Sequence, residues 1–197
     1  MNPKQLLRDR RHARLLVQVR IGDERAFSTL YRELYGVLAS YVRRRVSSPE
    51  DAQDLLGKVF HRFLEKLPEF DSAKGSVQGW VLQMGRNALI DHWRGQKASR
   101  SIEDLADILA DGAVDPLQAL ILAEEARFAG GILADQPAEI REIFALRFGQ
   151  GLRYREIGEC LGLSEDAVKQ RFSRALRELR RQWKGHETKR GEVDYAI

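Results

Sequence analysis

Nine basic side chains stand against five acidic ones between Leu152 and Lys184, and from Lys169 to Arg181 the spacing gathers six of the basic ones on one side of a helix. Lys169, Gln170, Arg171, Ser173, Arg174, Arg177, Arg180 and Arg181 alternate with an apolar series, Val168, Phe172, Ala175, Leu176, Leu179 and Trp183, set at helical intervals. Lysine and arginine neutralise phosphates, and arginine, glutamine and serine hydrogen-bond base edges. A helix that presents them together can read duplex nucleic acid in the major groove. That reading needs a second element to hold the helix at the groove. Tyr154 to Leu161 supplies one, a short helix with Ile157 and Leu161 four apart. Gly162 suits the left-handed position that ends it, and Ser164 suits the N-cap of the long helix. Glu165 and Asp166 then fall at the positive end of its dipole. Gly158 leaves room for two helices to cross closely. Short helix, glycine turn and long helix make a helix-turn-helix.

No comparable constellation for catalysis appears. His12, His61, His92 and His186 are scattered, and no acid–base or metal-ligating cluster stands out, so neither a catalytic residue nor a cofactor nor a metal is expected. The single cysteine, Cys160, excludes an internal disulfide and a cysteine zinc site, and is read as a small half-buried helix residue. The chain of 197 residues has room for one or two small domains, and its net charge of +4 permits a nucleic-acid partner without requiring one. The N-terminus is charged and no apolar run approaches a membrane span, which predicts a cytoplasmic protein without membrane insertion.

Taken in order, residues up to about Arg11 read as a frayed polar start, followed by an amphipathic stretch through Leu15, Leu16 and Val19. Asp23 caps a helix striped by Phe27, Leu30, Tyr31, Leu34, Leu38, Tyr41 and Val42. Ser48, with Pro49 at the first helical position, starts another. That helix carries a wide stripe, Ala52, Leu55, Leu56, Val59, Phe60, Phe63, Leu64 and Leu67, and Pro68 ends it. After the loop 69–75, Ser76 caps a helix with Val77, Trp80, Val81, Met84, Ala88, Leu89, His92 and Trp93, closed by Gly95. From Ser101 to Ala126 there is no Lys or Arg but seven acids, which marks a linker. Pro116 and Pro137 open two further helices. The second carries Ile140, Ile143, Phe144 and Phe148 and is closed by Gly149 and Gly151. The expectation is an all-α chain: a helical domain over 13–97, an acidic linker over 98–114, a helix-turn-helix domain over 115–184 and a flexible tail over 185–197.

Four stretches in this order, GDERAFSTLYRELYG, SPEDAQDLLGKVFHRFLEKL, GSVQGWVLQMGRNALIDHWRG and PAEIREIFALRFGQGLRYREIGECLGLSEDAVKQRFSRALRELR, resemble the extracytoplasmic-function (ECF) group of bacterial RNA polymerase sigma factors of the sigma-70 family. The resemblance implies docking of the Asp-rich helix on the β′ coiled coil of core RNA polymerase. Asp51, Asp54, Leu55, Lys58, Val59 and Arg62 are its candidates. It implies recognition and melting of a promoter −10 element by the loop and the helix after it, through Phe70, Asp71, Lys74, Gly75, Ser76, Arg86, Asn87, Asp91 and Arg94. Trp80 and Trp93 are stripe members and hence core, with base stacking as their other use. It implies reading of a −35 element by the helix-turn-helix, through Arg153, Arg155, Ser164, Glu165, Lys169, Gln170, Arg171, Ser173 and Arg174, while later arginines meet phosphates or the β flap. An anti-sigma factor is the further partner implied. The competing reading is a stand-alone helix-turn-helix regulator that binds DNA through its C-terminal part alone.

Overall fold

The structure, a computed structural model, describes the backbone of residues 3–95 and 130–194 and the side chains of residues 5–95 and 130–184. The expected acidic linker 98–114 and the start of the helix at Pro116 lie outside the described residues. Among those described the chain is helical throughout, with no strand. Four helices form the N-terminal set: α1 (Pro3–Arg20), α2 (Glu24–Arg43), α3 (Pro49–Lys66) and α4 (Val77–Gly95). The C-terminal set comprises α5 (Ala138–Phe144), the π-helical turn Ala145–Gly149, α6 (Tyr154–Leu161) and α7 (Glu165–Asp194).

The caps explain the boundaries. Asp23 accepts from the amides of Arg25 and Ala26 at 2.9 and 3.0 Å, opening α2. Ser48 Oγ accepts from the Asp51 amide at 3.2 Å with Pro49 at the first helical position, opening α3. Ser76 Oγ accepts from the Gly79 amide at 3.1 Å, opening α4. Each such cap is worth about 1 kcal/mol to its helix. Pro68 does not end α3 abruptly: a 3₁₀ turn, Leu67–Glu69, follows Lys66 and carries the chain into the loop.

Two ends differ from expectation. The helix at the N-terminus begins at Pro3 instead of after Arg11, because its packing partners lie far along the chain. Gln5 and His12 are buried, Arg8 reaches the Gln150 carbonyl, and His12 Nε2 sits 3.0 Å from Glu33. Burial pulls the His12 imidazole below its ordinary value of 6.5. At the other end, α7 runs on to Asp194 where a flexible tail is expected. The run beyond Trp183 has no proline, and an isolated glycine in a helix costs only about 1 kcal/mol.

The helical stripes meet in one buried cluster that extends from Leu16 and Leu30 through Phe63 and Leu89 to Ile143, Ile157 and Val168. Gly85 permits the closest approach in the N-terminal set, since a Cβ there would lie 2.5 Å from Leu38 Cδ1. The two sets are not beads on a string: α4 packs directly on α6. Sequence periodicity shows which face of each helix is apolar, but not that the two cores join.

Candidate nucleic-acid interface

The helix-turn-helix forms as its residues demand. Gly162 adopts φ 71°, ψ 33°, and the Leu163 amide bonds the Gly158 carbonyl at 2.9 Å. Gly158 is required by contact: a Cβ would lie 2.6 Å from the Leu163 carbonyl oxygen. Ser164 Oγ accepts from the Ala167 amide at 3.2 Å, capping α7. Val168, Phe172 and Ala175 are buried beneath it. Ser164, Glu165, Lys169, Gln170, Ser173 and Arg174 are all exposed on the first turns of α7, as a groove-reading helix requires.

The charges on that face are held in an ordered array. Lys169 Nζ lies 2.8 Å from Glu165 and 3.6 Å from Asp166, and the hydrogen bond to Glu165 leads in raising its pKa. Arg171 is turned inward to Glu139 of α5 at 2.6 Å, so it braces α7 more than it offers a free cation. Arg155 is exposed and pairs with Glu159 at 3.1 Å. Arg153 opens α6, where its amide donates to Glu156 at 2.8 Å, while its guanidinium lies 2.5 Å from Asp9 of α1. Phe148, expected in the helical stripe, is 64% exposed. The π-helical turn shifts the register at that point, and Phe148 leans on Phe144 and Phe172 with ring centroids 5.8 and 5.9 Å away.

The loop before α4 is shaped by its own residues and one remote arginine. Asp71 Oδ1 accepts from the Ala73 amide at 2.9 Å, and the Asp71 carbonyl accepts from the Lys74 amide at 3.1 Å. Arg20 donates to the carbonyls of Leu67 and Phe70, fastening the start of the loop to the end of α1. Nothing in the sequence singled out Arg20, because its partners are carbonyls 47 and 50 residues away. Phe70 is buried against Trp80 at 5.0 Å, and Trp80 also meets Phe63 at 5.7 Å. Phe70 therefore supports the loop from below, and Trp80, partly buried, packs against the core. Asp71 and Lys74 are exposed. Gly75 is half-buried and Ser76 is buried, both against the C-terminal set.

On α4, Asn87, Asp91 and Arg94 are spaced i, i+4, i+7 and share one exposed face. Asp91 faces Arg94 one turn on at 3.9 Å, both in solvent. Arg86 points elsewhere, into the cleft between the two sets with Trp93, Glu142 and Leu161.

Asp54 and Lys58 of α3 are side by side in solvent, 3.0 Å apart and 73% and 69% exposed, and Arg62 continues the face. Asp51 is half-buried, with His92 3.7 Å away. Leu55 and Val59 differ from expectation. At 4% and 2% exposed they lie in the core, so they cannot be contact residues for a partner while the domain is folded. The stripe of α3 is wide because both its flanks pack, on α2 and on α4.

Cys160 is fully buried where half-burial was expected, its thiol 3.7 Å from the Gly79 carbonyl and pushed by burial up to about 12. No cluster of His, Cys, Asp or Glu suited to a metal occurs among the described residues, and no described helix is long and apolar enough to cross a membrane.

Residues 30–99 match the family described as Sigma-70 region 2, and residues 133–181 that described as Sigma-70, region 4. The chain is 37% identical over 156 residues to the ECF RNA polymerase sigma factor SigF of Caulobacter vibrioides, covering 76% of this chain and 83% of that protein. This chain is an ECF sigma factor of the sigma-70 family. SigK of Mycobacterium tuberculosis is 28% identical over 179 residues, 84% of this chain and 90% of that protein. Among solved structures, CnrH in complex with the cytosolic domain of CnrY has a TM-score of 0.54 at 24% identity, over 87% of this chain and 96% of that one. The sigma factor RpoE of Bartonella quintana, solved with the anti-sigma factor NepR, has a TM-score of 0.52 at 20% identity, over 80% and 96%. These structures share the all-helical fold. This sigma factor binds core RNA polymerase and directs promoter-specific initiation of transcription. The family match at residues 30–99 takes in most of α2 and all of α3 and α4, and sets aside a stand-alone regulator, in which these helices would have had another task.

Proposed function

We propose the following division of labour. Residues 13–97 form the region 2-like domain, which docks on core polymerase and takes the −10 element. Residues 115–184 form the region 4-like domain, which takes the −35 element. The exposed face of α3, with Asp51, Asp54, Lys58 and Arg62, meets the β′ coiled coil. Leu55 and Val59 hold that face in place from inside. Asp71, Lys74, Gly75 and Ser76, with Asn87, Asp91 and Arg94, receive the single strand of the −10 element, and Phe70 supports their loop. Arg86 joins them once it is free of the cleft. Ser164, Glu165, Lys169, Gln170, Ser173 and Arg174 enter the duplex at the −35 element. Arg153 and Arg155 hold the phosphates beside them and Arg171 braces the helix.

The observation that carries this reading is the presence on one chain of separate exposed polar faces, on α3, α4 and α7, each mounted on a buried stripe. The −10 and −35 elements are centred some 25 base pairs apart, roughly 85 Å along a duplex at about 3.4 Å per pair. With α4 packed on α6 the two sets span less than this: even α7, 30 residues long, is only about 45 Å end to end at about 1.5 Å per residue. The two DNA-binding domains therefore separate when both elements are held. Weak binding by each alone suffices, since polymerase links them.

The chain works in the cytoplasm, carries no catalytic group of its own and is held in check by an anti-sigma factor, as the relatives solved with such partners suggest. The purified chain with core polymerase should produce transcripts from discrete start sites on a library of genomic fragments. Folded protein that leaves core polymerase with the same scattered transcripts it makes alone would overturn the assignment.

A further inference from the structure

Arg20 is the last residue of α1, and its side chain serves a part of the molecule far along the chain. One turn earlier on the same face Leu16 is buried. Just beyond Arg20 the amides of Gly22 and Asp23 return to the carbonyls of Val19 and Gln18 at 3.0 and 3.1 Å. The helix end is therefore wound tight and anchored, and Arg20 projects from a fixed base. Its guanidinium donates to two backbone carbonyls, that of Leu67 at 3.2 Å and that of Phe70. The Leu67 carbonyl also takes the Phe70 amide at 3.3 Å, closing the 3₁₀ turn after α3. A guanidinium suits this place twice over: its fork spans two acceptors, and its charge offsets the negative end of a helix dipole.

Of the two acceptors, the Phe70 carbonyl matters more for the loop. It belongs to the peptide plane that leads into Asp71, and a peptide plane is rigid. The turn beyond is held as well: Asp71 takes the Ala73 amide on its side chain and the Lys74 amide on its carbonyl, at 2.9 and 3.1 Å. Aiming one plane therefore aims the whole exposed tip, Asp71 to Lys74. Phe70, buried on Trp80, fixes the depth of the loop, and Arg20 fixes its direction. The far end of the loop has two ties. Ser76 caps α4 within the N-terminal set, and its amide reaches Glu156 of the C-terminal set at 3.1 Å. The second tie is lost when the two domains stand apart on DNA, whereas the Arg20 bonds lie within the N-terminal set and stay.

We propose that Arg20 is a positioning residue for −10 recognition: by holding the Leu67 and Phe70 carbonyls it aims the loop 71–74 at the unpaired strand, without touching DNA itself. The proposal rests on the division of labour given above. A loop without this tether must be ordered at the moment of capture, and the cost of ordering is subtracted from the binding free energy. The loss falls on the bases that the loop reads, so it lowers discrimination between −10 sequences and not only affinity.

The test compares the wild type with Arg20→Ala and Arg20→Lys, each as the full chain. Limited trypsin digestion without polymerase reads the loop directly, since Lys74 is exposed. Cleavage after Lys74 should be about tenfold faster in Arg20→Ala, while cuts elsewhere keep the wild-type rate. With core polymerase, each chain is titrated against the unpaired −10 strand of a promoter that the wild type selects, and against the same strand with its −10 bases replaced. The ratio of the two affinities does not depend on how much of a preparation is folded. It should fall about tenfold in Arg20→Ala, with affinity for core polymerase unchanged. Arg20→Lys keeps the charge at the end of α3 but cannot span both carbonyls. It should therefore unfold with the wild type and still lose most of the discrimination. An unchanged cut at Lys74 or a wild-type ratio in Arg20→Ala, or full recovery of the ratio by Arg20→Lys, would overturn the proposal. A faster cut at Lys74 in Arg20→Ala, beside a wild type with no preference between the strands, would show a different failure: the tether holds, but this loop does not read the −10 element, and the positioning role falls with that assignment.

Discussion

Swapping the ion pair on the exposed face of α3, Asp54→Arg with Lys58→Glu, should lower affinity for core polymerase by about 100-fold and abolish specific initiation at working concentrations. The magnitude follows from placing like charges together at an interface, which costs several kcal/mol, where about 2.7 kcal/mol is 100-fold. The swap is chosen because the fold should not register it. The two side chains are 73% and 69% exposed, and the exchanged pair keeps an i,i+4 contact on the helix. Surface changes of this kind move stability by about 0.5 kcal/mol at most. Titration of labelled core polymerase gives the affinity, and thermal unfolding gives the control. Unchanged affinity would show that α3 is not the docking helix. Leu55→Ala would be the wrong probe, because truncating a buried leucine in this core costs about 2–5 kcal/mol whatever the partner.

The helix-turn-helix makes the second large prediction. Lys169→Ala with Arg174→Ala should weaken binding of the polymerase complex to the −35 duplex. The dependence of log affinity on log salt should fall by up to about 1.8, at about 0.9 for each phosphate no longer neutralised. Core-polymerase affinity should stay as in the wild type. Lys169 is already paired with Glu165 and Asp166, so it gives up an existing partner to meet a phosphate. Arg174→Ala alone should therefore account for more of the salt effect than Lys169→Ala alone. Failure of the double variant to bind polymerase would mean that α7 also holds polymerase.

What the sequence made legible was whatever depends on neighbours in the chain. Asp23, Ser48 and Ser76 cap their helices because a side-chain oxygen reaches an amide two or three residues on. Gly162 marks the turn because its backbone needs positive φ. The basic face of α7 follows from period alone. What escaped depends on partners far away. Leu55 and Val59 belong to the same stripe as their neighbours, and only the packing of α3 against both α2 and α4 shows that these two lie inside while Leu64 of the same stripe is exposed. Glu142, within the run AEIREIF, looks like one more surface acid of an amphipathic helix. Its burial is set by Tyr41 and Arg45, 101 and 97 residues earlier. Glu156 is half legible: its spacing from Arg153 suggests a local cap, but its bond to Ser76, 80 residues away, does not follow from any period. The π-helical turn that exposes Phe148 is likewise invisible to a pattern that assumes 3.6 residues per turn.

The most direct test is a footprint of the complex between the full chain and core polymerase on a promoter it selects, read with one reagent that reports protected duplex and another that modifies unpaired thymines. Two separate regions should respond on the same DNA: a protected duplex block at the −35 element and reactive unpaired thymines at the −10 element, with neither given by the free chain at the same concentration. A single protected duplex block with no unpaired bases, or the same footprint from the free chain, would contradict a two-contact polymerase subunit.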